Sequence, residues 1–230
     1  MAVFTDELVK LRRRIGDIFA EDGTALTTAN VLSVNGAQYT YQELIDAYND
    51  AINEYLGYLT TTKSKDQWSE HAPGYIVYVT NQSVSSSKLN LNGMTLVPFK
   101  VISVAKYNVT TPDGIITEID PSLFFQYKYS LVTQATKDRT YCIMHDGTNW
   151  SMFFLPSDPV AVDIIYLKRH VDLTTATTTG FDNQFSQYAL KQILLFAEIA
   201  MKRGKTLDIV KDAPEAQLAT TAQLDLREDK

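Results

Sequence analysis

The sequence lacks most of the residues that mark a catalytic or metal centre. It has one cysteine, Cys142, so no disulfide can form within the chain. This thiol lies in an apolar run, where a free cysteine is typically a small core residue. The three histidines, His71, His145 and His170, stand far apart, and none has a second His or Cys at metal-ligand spacing. No P-loop, dinucleotide-binding, zinc-protease or nucleophile-elbow motif occurs. We therefore expect no cofactor, no metal and no enzymatic activity.

Long apolar runs and a surplus of basic residues are missing as well. No apolar stretch approaches the length that spans a bilayer, because Glu198 interrupts the most apolar segment, so we expect no membrane partner. The net charge is -6 at pH 7. A protein that grips DNA phosphates carries a basic face, and globally this chain has none. An acidic net charge of this size is ordinary for a soluble protein, and it also suits a surface past which DNA slides without binding.

The one local exception is the run Arg12, Arg13 and Arg14. Three consecutive helical positions spread over most of a turn, so they cannot all reach one row of phosphates. Two readings stay open. Either the run is a solvated helix face that pairs with Asp17 or Glu21, or one or two of its members contact an acidic partner or passing DNA.

Apolar periodicity predicts three helices. The first runs from about Asp6 to Phe19, and the third from Phe181 to Arg203 with Gly204 as its C-cap. The second follows a capping box and carries a buried stripe; its residues are Thr40 and Glu43 for the box, and Leu44, Tyr48, Ala51, Ile52, Tyr55 and Leu59 for the stripe. The third helix is apolar around most of its circumference, so it needs cover on more than one side, from its own domain or from a neighbouring subunit.

Turn sequences predict a β-rich middle. Four of them stand between apolar runs and favour antiparallel hairpins over a βαβ sheet; they are Asn35-Gly36, Asn92-Gly93, Pro112 to Gly114, and Asp146-Gly147. We therefore predict an α+β fold: a helical bundle of two N-terminal helices and one long C-terminal helix (residues 1–62 and 178–205). A large antiparallel β-rich insertion (63–177) and an extended C-terminal arm (206–230) complete the predicted domains.

Four segments, taken together, resemble a known family. They are ELVKLRRRIGD (7–17), YTYQELIDAYNDAINEYL (39–56), YCIMHDGTNWSMFFLPSDPVAVDIIYLKR (141–169) and FDNQFSQYALKQILLFAEIAMKRG (181–204). Their order resembles the head-to-tail connector (portal adaptor) proteins of tailed bacteriophages. In that family a helical bundle is interrupted by a β-rich insertion with an aromatic-turn-aromatic pattern, a proline and an apolar strand; Trp150, Phe153, Leu155, Pro156 and Pro159 stand in those places. The segment 63–140 is longer than a minimal adaptor needs, which leaves the tail-side partner open.

The resemblance implies a structural virion protein at the head–tail interface, assembled in the host cytoplasm. It implies a ring, usually of twelve copies, that docks under the portal protein and extends the channel for double-stranded DNA, without sequence specificity. It also implies a platform for tail or neck proteins. A portal-binding arm is expected at Asp208, Ile209, Val210, Leu218, Leu224 and Leu226. Contacts between subunits or within the channel are expected at Arg12, Arg13, Arg14, Phe185, Tyr188 and Phe196.

Two alternative functions remain. The first is another neck or tail ring or gatekeeper protein, which would share every feature of shape. The second is a non-catalytic ligand-binding β module, for example one that recognises sugars through Trp68, Tyr75 or Trp150. Exposed aromatic platforms would favour the ligand-binding module, whereas burial of Trp150 in the sheet core would remove its best residue.

Overall fold

The computed structural model describes residues 4–107, 114–129, 139–155, 160–176 and 183–206. Over these residues the chain forms five α-helices and seven β-strands, which confirms the predicted α+β class. The elements are α1 (Phe4–Ile15), α2 (Tyr41–Thr62), α3 (Lys65–His71), β1 (Ile76–Ser83), β2 (Lys88–Asn90), β3 (Pro98–Lys106), β4 (Ile115–Glu118), α4 (Pro121–Tyr129), β5 (Thr140–His145), β6 (Trp150–Leu155), β7 (Ala161–Lys168) and α5 (Gln187–Thr206). The chain divides into two compact units: residues 1–62 with 171–230, and residues 63–170.

Helix α2 forms as its sequence predicts. The backbone N–H of Thr40 donates to Oε2 of Glu43 (2.7 Å), and the N–H of Glu43 donates to Oγ1 of Thr40 (3.2 Å), so both halves of the capping box are present. Every residue of the predicted stripe is buried. Helix α5 packs against α2 and α1, and the ring of Phe185 meets that of Tyr55 edge-on, with centroids 6.1 Å apart.

Helix α1 is shorter than predicted. It ends at Ile15, because Gly16 adopts a positive φ of 79° and turns the chain away. The predicted buried face ran on to Ile18 and Phe19, but these side chains are 42% and 48% exposed. At the other end α1 begins at Phe4, whose side chain is fully buried.

Helix α5 also differs from its prediction at both ends. It begins at Gln187, where Oγ of Ser186 accepts the N–H of Ala189 (3.2 Å), and this serine is a start signal that the apolar periodicity did not reveal. It continues to Thr206, so Gly204 lies inside the helix and is not its C-cap. The predicted first residue, Phe181, lies outside the described residues.

The seven strands form one sheet in the order β1-β7-β3-β4-β5-β6-β2. Neighbours are antiparallel with one exception: β4 and β5 are parallel, with Thr117 opposite Thr140 and Glu118 opposite Tyr141. Helix α4 stands between these two strands in sequence, so the unit contains one β-α-β connection. The expectation of hairpins alone was therefore wrong at this place.

The four predicted turns have different outcomes. Asp146-Gly147 joins β5 to β6 as expected, with Gly147 at a φ of 96°. Asn35-Gly36 lies in an irregular loop before α2, and Asn92-Gly93 separates β2 and β3, which pair with β6 and β7 and not with each other. Neither of these two sequences forms a hairpin. Most of the turn at Pro112 to Gly114 lies outside the described residues.

The hydrophobic core of the 63–170 unit is formed mainly by side chains of its sheet. Its buried side chains are Leu89, Leu91, Met94, Val101, Val104, Ile116, Tyr141, Met152, Phe154, Val162, Ile164 and Tyr166. Cys142 is fully buried, as expected for a small apolar residue.

Helices α3 and α4 were not predicted from the sequence. Helix α3 follows a capping box formed by Ser64 and Gln67, which is the same kind of start signal as that of α2.

Candidate functional site

The structure does not bring the three arginines together on one surface. Arg12 is 1% exposed, and its guanidinium forms an ion pair with the carboxylate of Asp17, which is fully buried. Nη1 of Arg12 also donates to the carbonyl of Tyr39 (3.2 Å). Burial lowers the pKa of Arg12 below its ordinary value, although the Asp17 charge acts in the opposite direction. Arg12 is therefore held within its own unit, and its burial leaves little of the side chain for the expected contact with a neighbouring subunit or a channel.

A glycine makes room for this ion pair. A Cβ atom added to Gly36 would overlap the guanidinium of Arg12 and the carboxylate of Asp17. The glycine at position 36 is thus explained by the close approach of two charged side chains and not by a hairpin turn.

The other two arginines lie nearer to solvent. Arg13 is exposed. Arg14 is 43% exposed and donates to Oε2 of Glu198 on α5 (3.0 Å), while Lys202 donates to the other oxygen of Glu198 (2.7 Å). Burial alone would raise the pKa of Glu198, but the hydrogen bonds from Lys202 and Arg14 bring it below its ordinary value.

The apolar residues expected at subunit contacts are mostly covered by the chain itself. Phe196 lies on α5, which packs against α2 and α1, and is 8% exposed. Phe185 lies just before α5, is 2% exposed, and meets the ring of Tyr55 edge-on. Little of these two side chains is therefore left for a contact with a neighbouring subunit, whereas Tyr188 is half-buried. The expected portal-binding arm, at Asp208, Ile209, Val210, Leu218, Leu224 and Leu226, lies outside the described residues.

Within the 63–170 unit, aromatic and polar side chains meet in one cleft of about 420 Å³. Its lining includes the apolar side chains of Leu91, Val101 and Ile143. Its other main lining residues are Asn92, Phe99, Lys100, Glu118, Trp150 and Arg169. This volume lies within the usual range for small-molecule sites.

The two aromatic residues of the cleft stand at the beginnings of strands. Trp150 is the first residue of β6, is 49% exposed, and lies edge-on to His145, its partner on β5, with ring centroids 5.5 Å apart. Phe99 is the second residue of β3 and is 43% exposed. The other aromatic residues suggested for ligand contact, Trp68 and Tyr75, are each 2% exposed, so that suggestion was wrong for both.

The polar residues of the cleft come from four different places along the chain. Oε2 of Glu118 accepts the hydroxyl of Tyr141 (3.3 Å) and lies 3.7 Å from Nζ of Lys65. Burial, with the Glu118 carboxylate adding to it, raises the pKa of Tyr141 above its ordinary value. Asn92, Lys100 and Arg169 are exposed, and no local motif links them to Glu118.

A second, shallower depression of about 610 Å³ shares Glu118 and Ile143 with this cleft. Lys65, Thr117 and Asp120 also line it. Asp120 accepts the backbone N–H of Ser122 at the start of α4 (2.8 Å), and the hydrogen bonds from Ser122 lower its pKa. The two depressions are therefore neighbours along one surface of the 63–170 unit, with Glu118 at their junction.

Within the part of the chain that the structure describes, no group of three or more His, Cys, Asp or Glu side chains is placed to hold a metal ion. None of the helices described there is both long and apolar enough to cross a bilayer.

No protein-family model matches the chain, and no curated protein matches its sequence.

Proposed function

We propose that this chain is a structural protein of a tailed-phage virion, an adaptor subunit whose copies form a ring on the portal. The ring would extend the DNA channel and provide the platform for tail or neck proteins. The observation that carries the proposal is the order of the elements: α1 and α2 precede the β-rich unit, and α5 follows it and packs against α2 and α1. A helical bundle interrupted by a β-rich insertion is what the resemblance to portal adaptors implies.

In this proposal each part of the chain has a role. Helices α1, α2 and α5 form the scaffold bundle of the ring subunit. Residues 63–170 form the insertion that faces a neck or tail protein, and residues 207–230, which follow α5, form the portal-binding arm. A ring whose rotation closes needs two unlike surfaces on each subunit. Since Phe185 and Phe196 are buried, the lateral contact needs other residues.

The exposed pair Ile18 and Phe19 supplies a better candidate for the lateral contact. These neighbours directly follow α1 and its Gly16 turn and are 42% and 48% exposed. Large apolar side chains at such exposure gain free energy when a partner removes them from water. We therefore place one side of the proposed subunit contact at this turn.

The direct test mixes the purified chain with the portal protein encoded by the same genome, with no tail protein present. Electron microscopy should then show a ring of adaptor density on the portal. Deletion of residues 207–230, which leaves α5 intact, should abolish binding. Equal binding by the truncated chain would reject the arm. Binding only to portals that already carry another neck protein would favour the alternative of a ring or gatekeeper further along the neck.

A second test locates the lateral contact. The double variant Ile18→Ser/Phe19→Ser should remain folded but fail to close a ring on the portal. Ile115→Ser is the matched control, because Ile115 is 65% exposed and lies in the other unit. Equal loss of ring closure in both variants would place the contact elsewhere.

A third test concerns DNA. Because Arg12 is buried with Asp17, only Arg13 and Arg14 are useful substitutions. The variant Arg13→Gln/Arg14→Gln should assemble into particles but retain packaged DNA less well, since two cations near the channel are lost. Unchanged genome retention would reject the contact with DNA and favour the reading of Arg13 and Arg14 as part of a solvated helix face.

A further inference from the structure

We propose that the cleft in residues 63–170 binds a saccharide, with one sugar ring stacked on Trp150. This inference does not depend on ring assembly or on the portal. It starts from the exposure of Trp150 and Phe99, at 49% and 43%, in a cleft that is also lined by apolar side chains. A large aromatic surface left half in water gains free energy when a ligand covers it. A sugar ring offers an apolar C–H face of suitable size.

The polar lining favours a ligand that carries hydroxyl groups. The carboxylate of Glu118 can only accept hydrogen bonds, the side chains of Lys100 and Arg169 can only donate them, and the amide of Asn92 does both. A hydroxyl group is both donor and acceptor, so a saccharide can satisfy every one of these groups at once. A phosphate chain would satisfy the donors but would meet repulsion from Glu118.

The charge of the unit argues in the same direction. Residues 63–170 contain ten lysines and arginines against nine aspartates and glutamates. Proteins that bind single-stranded nucleic acid combine stacking aromatics with a strongly positive groove. Here the aromatics are present, but the charges of the two signs almost balance, which favours a neutral or weakly charged ligand.

Several side chains of the cleft are already held in place. The ring of Trp150 rests against His145, and Glu118 is fixed by Tyr141 and lies close to Lys65. A ligand would therefore find Trp150 and Glu118 already ordered, which lowers part of the entropic penalty of binding. The adjoining depression beyond Glu118 gives room for further sugar units, so the expected ligand is a short linear oligosaccharide.

The test is isothermal titration calorimetry of the full chain at about 0.15 M salt, the physiological ionic strength. The probes are linear tetrasaccharides of glucose, of N-acetylglucosamine and of a uronic acid, with an oligothymidylate as the nucleic-acid probe. We expect at least one tetrasaccharide to bind with a Kd below about 1 mM. In Trp150→Ala and in Phe99→Ala, that affinity should fall by about tenfold or more.

Glu118→Gln provides a test of the hydrogen-bonding role. It keeps the shape of the side chain and should weaken binding severalfold, whereas Glu70→Gln, an exposed position of the same unit outside the cleft, should leave it unchanged. Circular dichroism checks that each variant is folded. The proposal is overturned if none of the tetrasaccharides binds, if Trp150→Ala and Phe99→Ala both bind as well as the unchanged chain, or if the oligothymidylate binds more tightly than every saccharide.

Discussion

Arg12 and Asp17 form an ion pair across the end of α1 in which both side chains are almost completely removed from water. Asp17 also accepts the backbone N–H groups of Gln38 (2.8 Å) and Tyr39 (3.3 Å). The pair therefore connects the end of α1 to the segment that leads into α2. Removing one charge would leave the other buried without its partner, which is among the most destabilising changes known for a folded protein.

Asp17→Asn should lower the free energy of unfolding by about 3–5 kcal/mol, because it leaves the Arg12 guanidinium buried and uncompensated. Urea denaturation followed by circular dichroism measures this loss. Glu21→Gln, an exposed acidic position in the same loop, should change stability by less than about 0.5 kcal/mol. The double variant Arg12→Met/Asp17→Asn should be more stable than Asp17→Asn alone. A double variant that is no more stable than Asp17→Asn alone would show that the two side chains are not coupled.

Gly36→Ala should also destabilise the chain, in this case through crowding. The added Cβ would overlap both members of the Arg12–Asp17 pair, and overpacking of this kind typically costs about 1–3 kcal/mol. Gly57→Ala is the matched control, because no atom lies within 4 Å of its added Cβ and it lies inside α2. That variant should gain about 0.5–1 kcal/mol from helix propensity. If the two substitutions shifted the urea midpoint equally, crowding of the Arg12–Asp17 pair would not be the cause of the loss.

Local signals in the sequence were enough to predict some elements. The capping box of Thr40 and Glu43 and the stripe behind it gave α2, and the Asp146-Gly147 turn gave the β5–β6 hairpin. In both cases the information lies within a few residues of the element. The exposure of Trp150, by contrast, was left open by the sequence; the structure shows this side chain to be 49% exposed.

Other features depend on residues that are distant in sequence, so a local pattern could not reveal them. Pairing of the arginine run with Asp17 was one of the two readings of the sequence, but the burial of Arg12 and Asp17 was not foreseen, because it depends on contacts with the distant residues Gln38 and Tyr39. The parallel pairing of β4 with β5 depends on α4, which has no strong apolar periodicity. The cleft assembles Lys100, Glu118 and Arg169 from three separate strand ends, and sequence reasoning could not bring them together.

Asn49 fixes the return of the chain to the helical unit. On α2, its Nδ2 donates to the carbonyl of Leu173 (3.2 Å), and its Oδ1 accepts the N–H of the same residue (2.7 Å), at a buried position. Asn49→Leu would deprive both backbone groups of these hydrogen bonds, so we expect a loss of about 2 kcal/mol or more in the free energy of unfolding. Asn53→Leu, the same substitution on the exposed side of α2, should change it by less than about 0.5 kcal/mol. If urea denaturation showed the same loss of stability in both variants, a specific role for the Asn49 amide would be excluded.

The buried thiol of Cys142 should be slow to react in the folded chain. Burial raises its pKa from 9.0 to about 11. At pH 8 its thiolate fraction is then roughly 100-fold below that of the unfolded chain, and exclusion of the reagent slows the reaction further. Alkylation by iodoacetamide, followed by mass spectrometry, should therefore proceed in denaturant and be almost absent without it. Fast modification of the folded chain would contradict the burial of this residue.

The same shift makes stability depend on pH in the alkaline range. Because the folded thiol keeps its proton up to about pH 11 while the unfolded thiol loses it near pH 9, the unfolded state binds fewer protons between these values. Stability contributed by Cys142 is therefore complete below about pH 9 and falls as the pH rises towards 11, by up to about 3 kcal/mol in all. Cys142→Ala removes this contribution but keeps the contributions of buried tyrosines, whose raised pKa values act in the same direction. The difference between the two urea-derived stability curves should thus decline across this window, and a constant difference would show that the thiol does not titrate differently on unfolding.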